Sequence, residues 1–132
     1  MATSEKLPLR DEQDVVRARQ AVRARMQELN FSLVDQTKLV TAASELARNA
    51  VIYGLGGEMT IEIAAINERT AIRLTFEDNG PGIGDMELAM KDGWTSGNGL
   101  GMGLPGARRL VNEFHIESTP GKGTRVAIAR WK

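Results

Sequence analysis

The chain has 132 residues, enough for one domain with a real core, and its 17 Lys+Arg match its 17 Asp+Glu. Balanced charge argues against a nucleic-acid binder, and the absence of cysteine excludes a disulfide framework or a cysteine metal site. No apolar run approaches the ~18 residues of a membrane span, and the charged opening MATSEKLPLRDEQD lacks the apolar segment of a signal peptide.

The expectation is a cytoplasmic protein, with no membrane and no nucleic acid among its partners, forming a single domain over 1–132. Leu7 and Leu9 alternate with polar residues and predict a short edge strand. Asp11 or Asp14 then caps a helix running to about Leu29, with Val15, Ala18, Val22, Met26 and Leu29 on one core stripe. Arg17, Gln20, Arg23 and Gln27 lie off that stripe, on a solvated face.

Ser32 with Asp35 three residues on resembles a capping box and opens a second helix to about Tyr53, with Gly54 as a natural C′ residue. Residues 58–66 and 70–78 read as two strands joined by Asn67-Glu68-Arg69. A short helix is expected over 85–92, an irregular glycine-rich stretch from Gly93 to Gly103, and a third helix over 104–114 with Pro105 in its first turn. HIEST and TRVAIARWK, joined by Pro120-Gly121-Lys122-Gly123, make a closing hairpin. Helices combined with a mixed, mostly antiparallel sheet predict an α+β two-layer sandwich with the helices on one face.

Four segments carry candidate chemistry. Glu45 and Asn49 stand four apart on one helix face, away from the Leu39/Leu46 stripe. Alone they make an ordinary polar face. Asn is a poor helix former, however, and its amide oxygen is a hard ligand suited to Mg²⁺, while a carboxylate one turn earlier can accept a proton. In EDNGPGIGD, Asp78 ends a strand and Gly80 and Gly82 follow. Asn79-Gly80 alone would be a tight turn. With Pro81-Gly82 the loop runs on, and an acid beside a side-chain-free wall suits an adenine amino group. Gly97, Gly99, Gly101 and Gly103 alternate directly before a helix, a natural source of N–H groups for phosphate, though neither a Walker loop nor a dinucleotide fingerprint. PGKG is a turn signature, and Thr124 behind it can offer a hydroxyl beside Asp78.

In their order, these blocks resemble the four motifs of the GHKL (Bergerat-fold) ATPases, which include gyrase, histidine kinases and anti-sigma-factor kinases. SELARNAVIYG, EDNGPGI and DGWTSGNGLGMGLPGARRLVNEF are more closely similar to the RsbT-type switch serine/threonine kinases of the stressosome pathway.

The resemblance implies ATP and Mg²⁺ as cofactors. It implies that Asp78 and Thr124 receive the adenine, Gly80 and Gly82 line it, Asn49 holds Mg²⁺, and Gly99, Gly101 and Gly103 give N–H groups to the phosphates, with Leu104 also among the nucleotide-binding residues. Glu45 is then the catalytic base toward a serine of a partner. The implied partners are a STAS-domain substrate of the stressosome scaffold and, once the protein is released, a PP2C-type phosphatase. The alternatives are an anti-sigma factor that sequesters a sigma factor, or a nucleotide-gated activator with little kinase activity. No Lys or Arg lies between Lys91 and Arg108, which predicts weak nucleotide affinity. His115 is assigned a structural or merely exposed place, Trp94 the base of the glycine-rich stretch, and Trp131 the sheet edge. Met86, Met90 and Met102 are expected to fill gaps.

Overall fold

The structure, a computed structural model, describes residues 4–80 and 103–132. Its elements in chain order are β1 (Ser4–Leu9), α1 (Glu12–Glu28), α2 (Leu33–Ile52), β2 (Gly57–Ile66), β3 (Arg69–Asp78), α3 (Gly103–Arg109), β4 (Glu113–Thr119) and β5 (Gly123–Trp131). The expected helix over 85–92, Trp94 and the three methionines lie outside the described residues.

Local chemistry sets the helix ends. Asp11, in extended conformation, accepts the Asp14 N–H at 3.0 Å and so is the cap of α1. Asp14 has another task. Buried to 2 % exposure, it accepts the Arg10 backbone N–H at 2.8 Å, Arg10 Nε at 3.0 Å and Arg17 Nη1 at 2.9 Å. The Arg10 guanidinium and backbone, outweighing the effect of burial, hold the Asp14 pKa at about 2 against an ordinary 3.8.

Helix α1 ends in a Schellman turn. Asn30 takes φ 60°, its N–H reaches the Gln27 carbonyl, and the Phe31 N–H reaches the Met26 carbonyl at 3.0 Å. Phe31 and Met26 are both buried in the core. Ser32 Oγ accepts the Asp35 N–H at 3.1 Å at the start of α2, as the cap spacing predicts. The Asp35 carboxylate is engaged elsewhere, by Arg130.

The strands form one five-stranded sheet in the order β1-β2-β3-β5-β4. Every pairing among the described residues is antiparallel, so the expected mixed sheet is corrected to an antiparallel one. The physical reason is connectivity. β2 and β3 are joined by a tight hairpin, and so are β4 and β5, while α3 crosses over to bring β4 to the far edge.

Alternation puts cross-strand rows on the face that packs against the helices. Leu7, Met59, Phe76, Val126 and Ile116 form one such row, and Ile61, Leu74, Ile128 and Phe114 the next. They join Val15, Val22 and Met26 of α1, and Leu39, Ala43, Leu46 and Ala50 of α2, in a single core. That face turns polar at both ends. One end row is Gly57–Asp78–Thr124–Ser118, and at the other end Arg130 stands opposite Ile72.

One expectation is corrected and two are refined. Helix α3 stops at Arg109 rather than continuing to residue 114. Leu110, Val111 and Phe114 keep a helical apolar spacing, but the Asn112 N–H already donates to the Ala129 carbonyl at 2.9 Å, so the chain has entered the sheet. Gly54 follows the Tyr53 cap as the C′ residue, as expected, but its φ is not positive. Leu55 at φ 60° and Gly56 at φ 97° make the left-handed turn, and the Gly56 N–H returns to the Ala50 carbonyl at 2.8 Å. Trp131 is the last residue of β5, opposite Ala71 and beyond the Glu113–Ala129 pair where the β4 ladder ends.

Candidate functional site

Asp78 is the last residue of β3, in register with Gly57 on one side and Thr124 on the other. Its Oδ1 accepts two backbone N–H groups, from Gly80 at 3.0 Å and from Thr124 at 3.3 Å. Its other oxygen faces Gly54, where a Cβ would stand 2.6 Å from Oδ2. A Cβ on Gly80 would in turn meet the Gly54 Cα and carbonyl at 2.7 Å, so these two glycines touch backbone to backbone. Any side chain at Gly54 would displace the carboxylate, and this close approach is why the position is glycine. The carboxylate is therefore held by fixed N–H dipoles and glycine backbone, with no cation beside it among the hydrogen bonds and ion pairs of the described residues.

The Thr124 hydroxyl lies next to this acid, as its position predicts, and is shared with Ser118 Oγ at 2.9 Å. Ser118 Oγ also donates to the Gly123 carbonyl at 3.3 Å. The turn before Thr124 is closed by the Lys122 N–H on the Thr119 carbonyl at 2.9 Å, with Gly121 at φ 81° and Gly123 at φ 99°. A cavity of about 230 Å³ at this end of the sheet borders Asp78 and Thr124 but is also lined by Glu77, Glu117 and Arg125 of the outer face.

Helix α2 delivers the other candidate residues. The Asn49 carbonyl accepts both the Tyr53 and the Gly54 N–H groups, at 2.9 and 3.1 Å. The turn carrying Asn49 thus leads directly into the glycine that lies on Asp78. Asn49 is half-buried, leaving its amide able to meet a ligand. Mg²⁺ typically takes one or two protein oxygens and completes its shell with phosphates and water, a donor set that a single Asn amide beside a nucleotide fits. Glu45, one turn earlier, is buried to 8 % exposure. It borders a groove of about 560 Å³ between α1 and α2, with Arg19, Arg23, Val40 and Ser44.

The structure thus links Asp78, Gly80 and Thr124 directly, ties Asn49 to them through Gly54, and sets Glu45 one turn further along the same helix. Gly82, Gly99 and Gly101 lie outside the described residues. Gly103 opens α3, and Leu104 is buried at 7 % exposure in the core. His115 stands on the outer side of β4, exposed, with Nε2 at 3.0 Å from Glu117 Oε1. Sequence reasoning missed Gly57 and Ser118, and read Gly54 and Gly123 only as helix-end and turn residues. Gly57 and Gly123 flank Asp78 on the two neighbouring strands, where a Cβ would run into the β3 backbone at Glu77 and Asp78. The available signal was the glycine opening each of those strands.

An α+β sandwich with an acid at a strand end, glycines around it and a Glu/Asn pair on the adjoining helix defines an ATP-site class of protein. Residues 34–132 match the family model for histidine kinase-, DNA gyrase B- and HSP90-like ATPases, and the chain belongs to that family. It is 43% identical over 120 residues to the serine/threonine-protein kinase RsbT of Bacillus subtilis, covering 91% of this chain and 90% of that one. It is 32% identical to an anti-sigma F factor of a Thermoanaerobacter species, over 86% of this chain and 82% of that one. On these likenesses the chain is an enzyme of the serine/threonine-protein kinase class within the family.

Among solved structures, the RsbU and RsbW domains of a Mycobacterium tuberculosis protein superpose with a TM-score of 0.68 at 20% identity. This chain is covered to 97% and spans 32% of that one, and the match establishes the fold. No helix among the described residues is long and apolar enough to cross a membrane.

Proposed function

We propose that the protein is a cytoplasmic, single-domain switch kinase that transfers the γ-phosphoryl group of ATP to a serine of a STAS-domain antagonist and, when released from it, activates a PP2C-type phosphatase. The observation that carries this reading is the Asp78 carboxylate. It is held on one oxygen by the Gly80 and Thr124 N–H groups and laid against Gly54, at the foot of the helix that bears Asn49 and Glu45. An acid so fixed accepts an exocyclic amino group in one orientation, which suits adenine.

The reading assigns Asp78 and Thr124 to the adenine, Gly80 and Gly82 to the walls around it, and Leu104 to the nucleotide-binding residues without a separate role. The N–H groups of Gly99, Gly101 and Gly103 border the phosphates. Asn49 would hold Mg²⁺, which when bound supplies charge neutralisation on the phosphates. Glu45 accepts the proton of the partner's serine as its oxygen bonds to the γ-phosphorus and the bond from that phosphorus to the β–γ bridging oxygen breaks, leaving ADP. Alignment and charge stabilisation account for most of such a transfer. The absence of Lys and Arg between Lys91 and Arg108 leaves phosphate binding to dipoles and the metal, so a dissociation constant for Mg-ATP above the micromolar level is expected by calorimetry.

The deciding experiment mixes the protein, Mg-ATP labelled at the γ-phosphate and a STAS-domain protein. Label on a serine of the STAS protein is the expected result. No transfer, together with a stable complex with a sigma factor, would replace this reading with that of an anti-sigma factor.

A further inference from the structure

Helix α2 is fastened to the sheet at both ends, and the two functional side chains assigned to it lie between the fastenings. At its C-terminal end Gly54 rests against Asp78 and Gly80. At its N-terminal end Asp35 is gripped by Arg130 of β5, with Nη2 at 2.6 Å and Nε at 3.0 Å from the same Oδ1. The third arm of the guanidinium, Nη1, donates to the Leu110 carbonyl at 3.0 Å, just past the end of α3. Leu104 and Ala107 of α3 are buried in the core they share with α2. One side chain thus ties the start of α2, the end of α3 and the sheet together, with only 15% of its surface exposed.

We infer that Arg130 is a positioning residue for phosphoryl transfer: by holding Asp35 and the Leu110 carbonyl, it fixes the swing of α2 and hence the placement of Glu45. The inference rests on the roles proposed above for Glu45 and Asn49. Its physical content is a lever. With Gly54 as the fixed point, Asn49 is about 7.5 Å and Glu45 about 13.5 Å up the helix, while Asp35 is about 28 Å away, at about 1.5 Å per residue. A swing allowed by releasing Asp35 displaces Glu45 nearly twice as far as Asn49 and leaves Asp78 where it is. Loss of Arg130 therefore reduces the transfer step while sparing nucleotide affinity, a split that a purely structural fastening does not produce.

The test uses the full chain with Mg-ATP and the STAS-domain protein of the transfer assay, well below the melting temperature. Arg130→Met removes all three donor bonds. Arg130→Lys, which keeps the charge but not the fork, serves where the first variant folds poorly. Phosphoserine formation at saturating Mg-ATP is expected to fall on the order of 10-fold in Arg130→Met, with Arg130→Lys between it and the wild type. The Mg-ATP dissociation constant by calorimetry is expected to stay within about threefold of wild type, the smaller displacement at Asn49 having little effect there. A wild-type transfer rate in the folded variants overturns the inference, and so does an equal loss of rate and affinity. Glu45→Gln, run beside them, separates the two levels of the reading. If Glu45→Gln is inactive and Arg130→Met transfers at full rate, only the lever fails. If Glu45→Gln transfers at full rate, the base assignment fails and the lever falls with it.

Discussion

The interface between α2 and the sheet carries an acid at each end, Asp35 from the helix and Asp78 from β3, and the two acids are treated in opposite ways. At one end Asp35 meets Arg130 through two charge-assisted bonds to one oxygen, at 2.6 and 3.0 Å, with the Ser32 cap beside it. Burial opposes ionisation of Asp35, but the Arg130 guanidinium and the Ser32 hydroxyl outweigh it and hold its pKa below the ordinary 3.8. At the other end the hydrogen bonds to Asp78 among the described residues come only from backbone N–H groups and end on Oδ1, with Gly54 against Oδ2. A guanidinium neutralises an acid and completes it. Backbone dipoles and glycine orient an acid and leave it an acceptor to offer. The first arrangement is a fastening, and the second suits a ligand.

The sharpest way to break this contrast is Asp78→Asn. The substitution keeps the shape and an oxygen for the Gly80 and Thr124 N–H groups but puts an amide NH₂ where the second carboxylate oxygen stood. Mg-ATP affinity by calorimetry is expected to fall on the order of 100-fold, about 3 kcal/mol, with the melting temperature moving only a few degrees. Wild-type affinity in this variant would mean that the acid does not receive the nucleotide. Gly54→Ala acts on the same contact from the helix side. Its Cβ must push the Asp78 carboxylate or the helix end aside, so both nucleotide affinity and the denaturant midpoint should drop. The stability loss is expected to be about 2 kcal/mol, in the range of overpacked sites. An unchanged midpoint would show that the contact yields freely.

The same contrast explains what the sequence made legible. Helices α1 and α2 were readable because Val15, Ala18, Val22 and Met26, and then Leu39, Ala43, Leu46 and Ala50, repeat at helical spacing behind a capping residue. Asp78, Gly80 and Thr124 were readable because a strand ends on an acid and a turn precedes a threonine. The stop of α3 was hidden because Leu110 and Phe114 point inward under either periodicity. What decides the matter is distant in sequence: Arg130 takes the Leu110 carbonyl, and Ala129 takes the Asn112 N–H. The second task of Gly54 was hidden for a similar reason. A glycine after a helix reads as a C′ residue by local rules, which it is, and only the fold brings Asp78 onto it. The Asp35–Arg130 pair spans 95 positions and has no local signature, whereas the cap at Ser32 does.

Acid titration examines the fastened end. Because the folded pKa of Asp35 is depressed, its contribution to stability is fully present above the unfolded value of 3.8 and is lost as pH falls below it. The difference in unfolding free energy between wild type and Asp35→Asn should be flat above about pH 5 and shrink steadily in more acid solution. Asp14, with its pKa at about 2, contributes to both proteins in the same window and cancels in the difference. A difference that grew toward acid would reverse the assigned sign and remove the ion pair from the account of the fold.

The smallest effect is expected where the fastened end is built below its best. The hairpin between β2 and β3 pairs Ile66 with Arg69, which leaves Asn67 at φ 51° and Glu68 at φ 64° as a two-residue turn with both residues left-handed. Asn tolerates that region, but a glutamate there is strained, and Glu68 is exposed with no packing to offset the strain. Glu68→Gly should therefore stabilise the protein by about 0.5–1 kcal/mol, the relief of strain exceeding the added freedom of the unfolded chain. The turn lies at the Arg130 end, a full strand length from Asp78, so Mg-ATP affinity should not move. A gain in stability with unchanged affinity would mean that the two ends of the sheet can be tuned separately. A change in affinity would mean that strain at the hairpin reaches the acid through β3, and the division between a fastened end and a binding end would have to be given up.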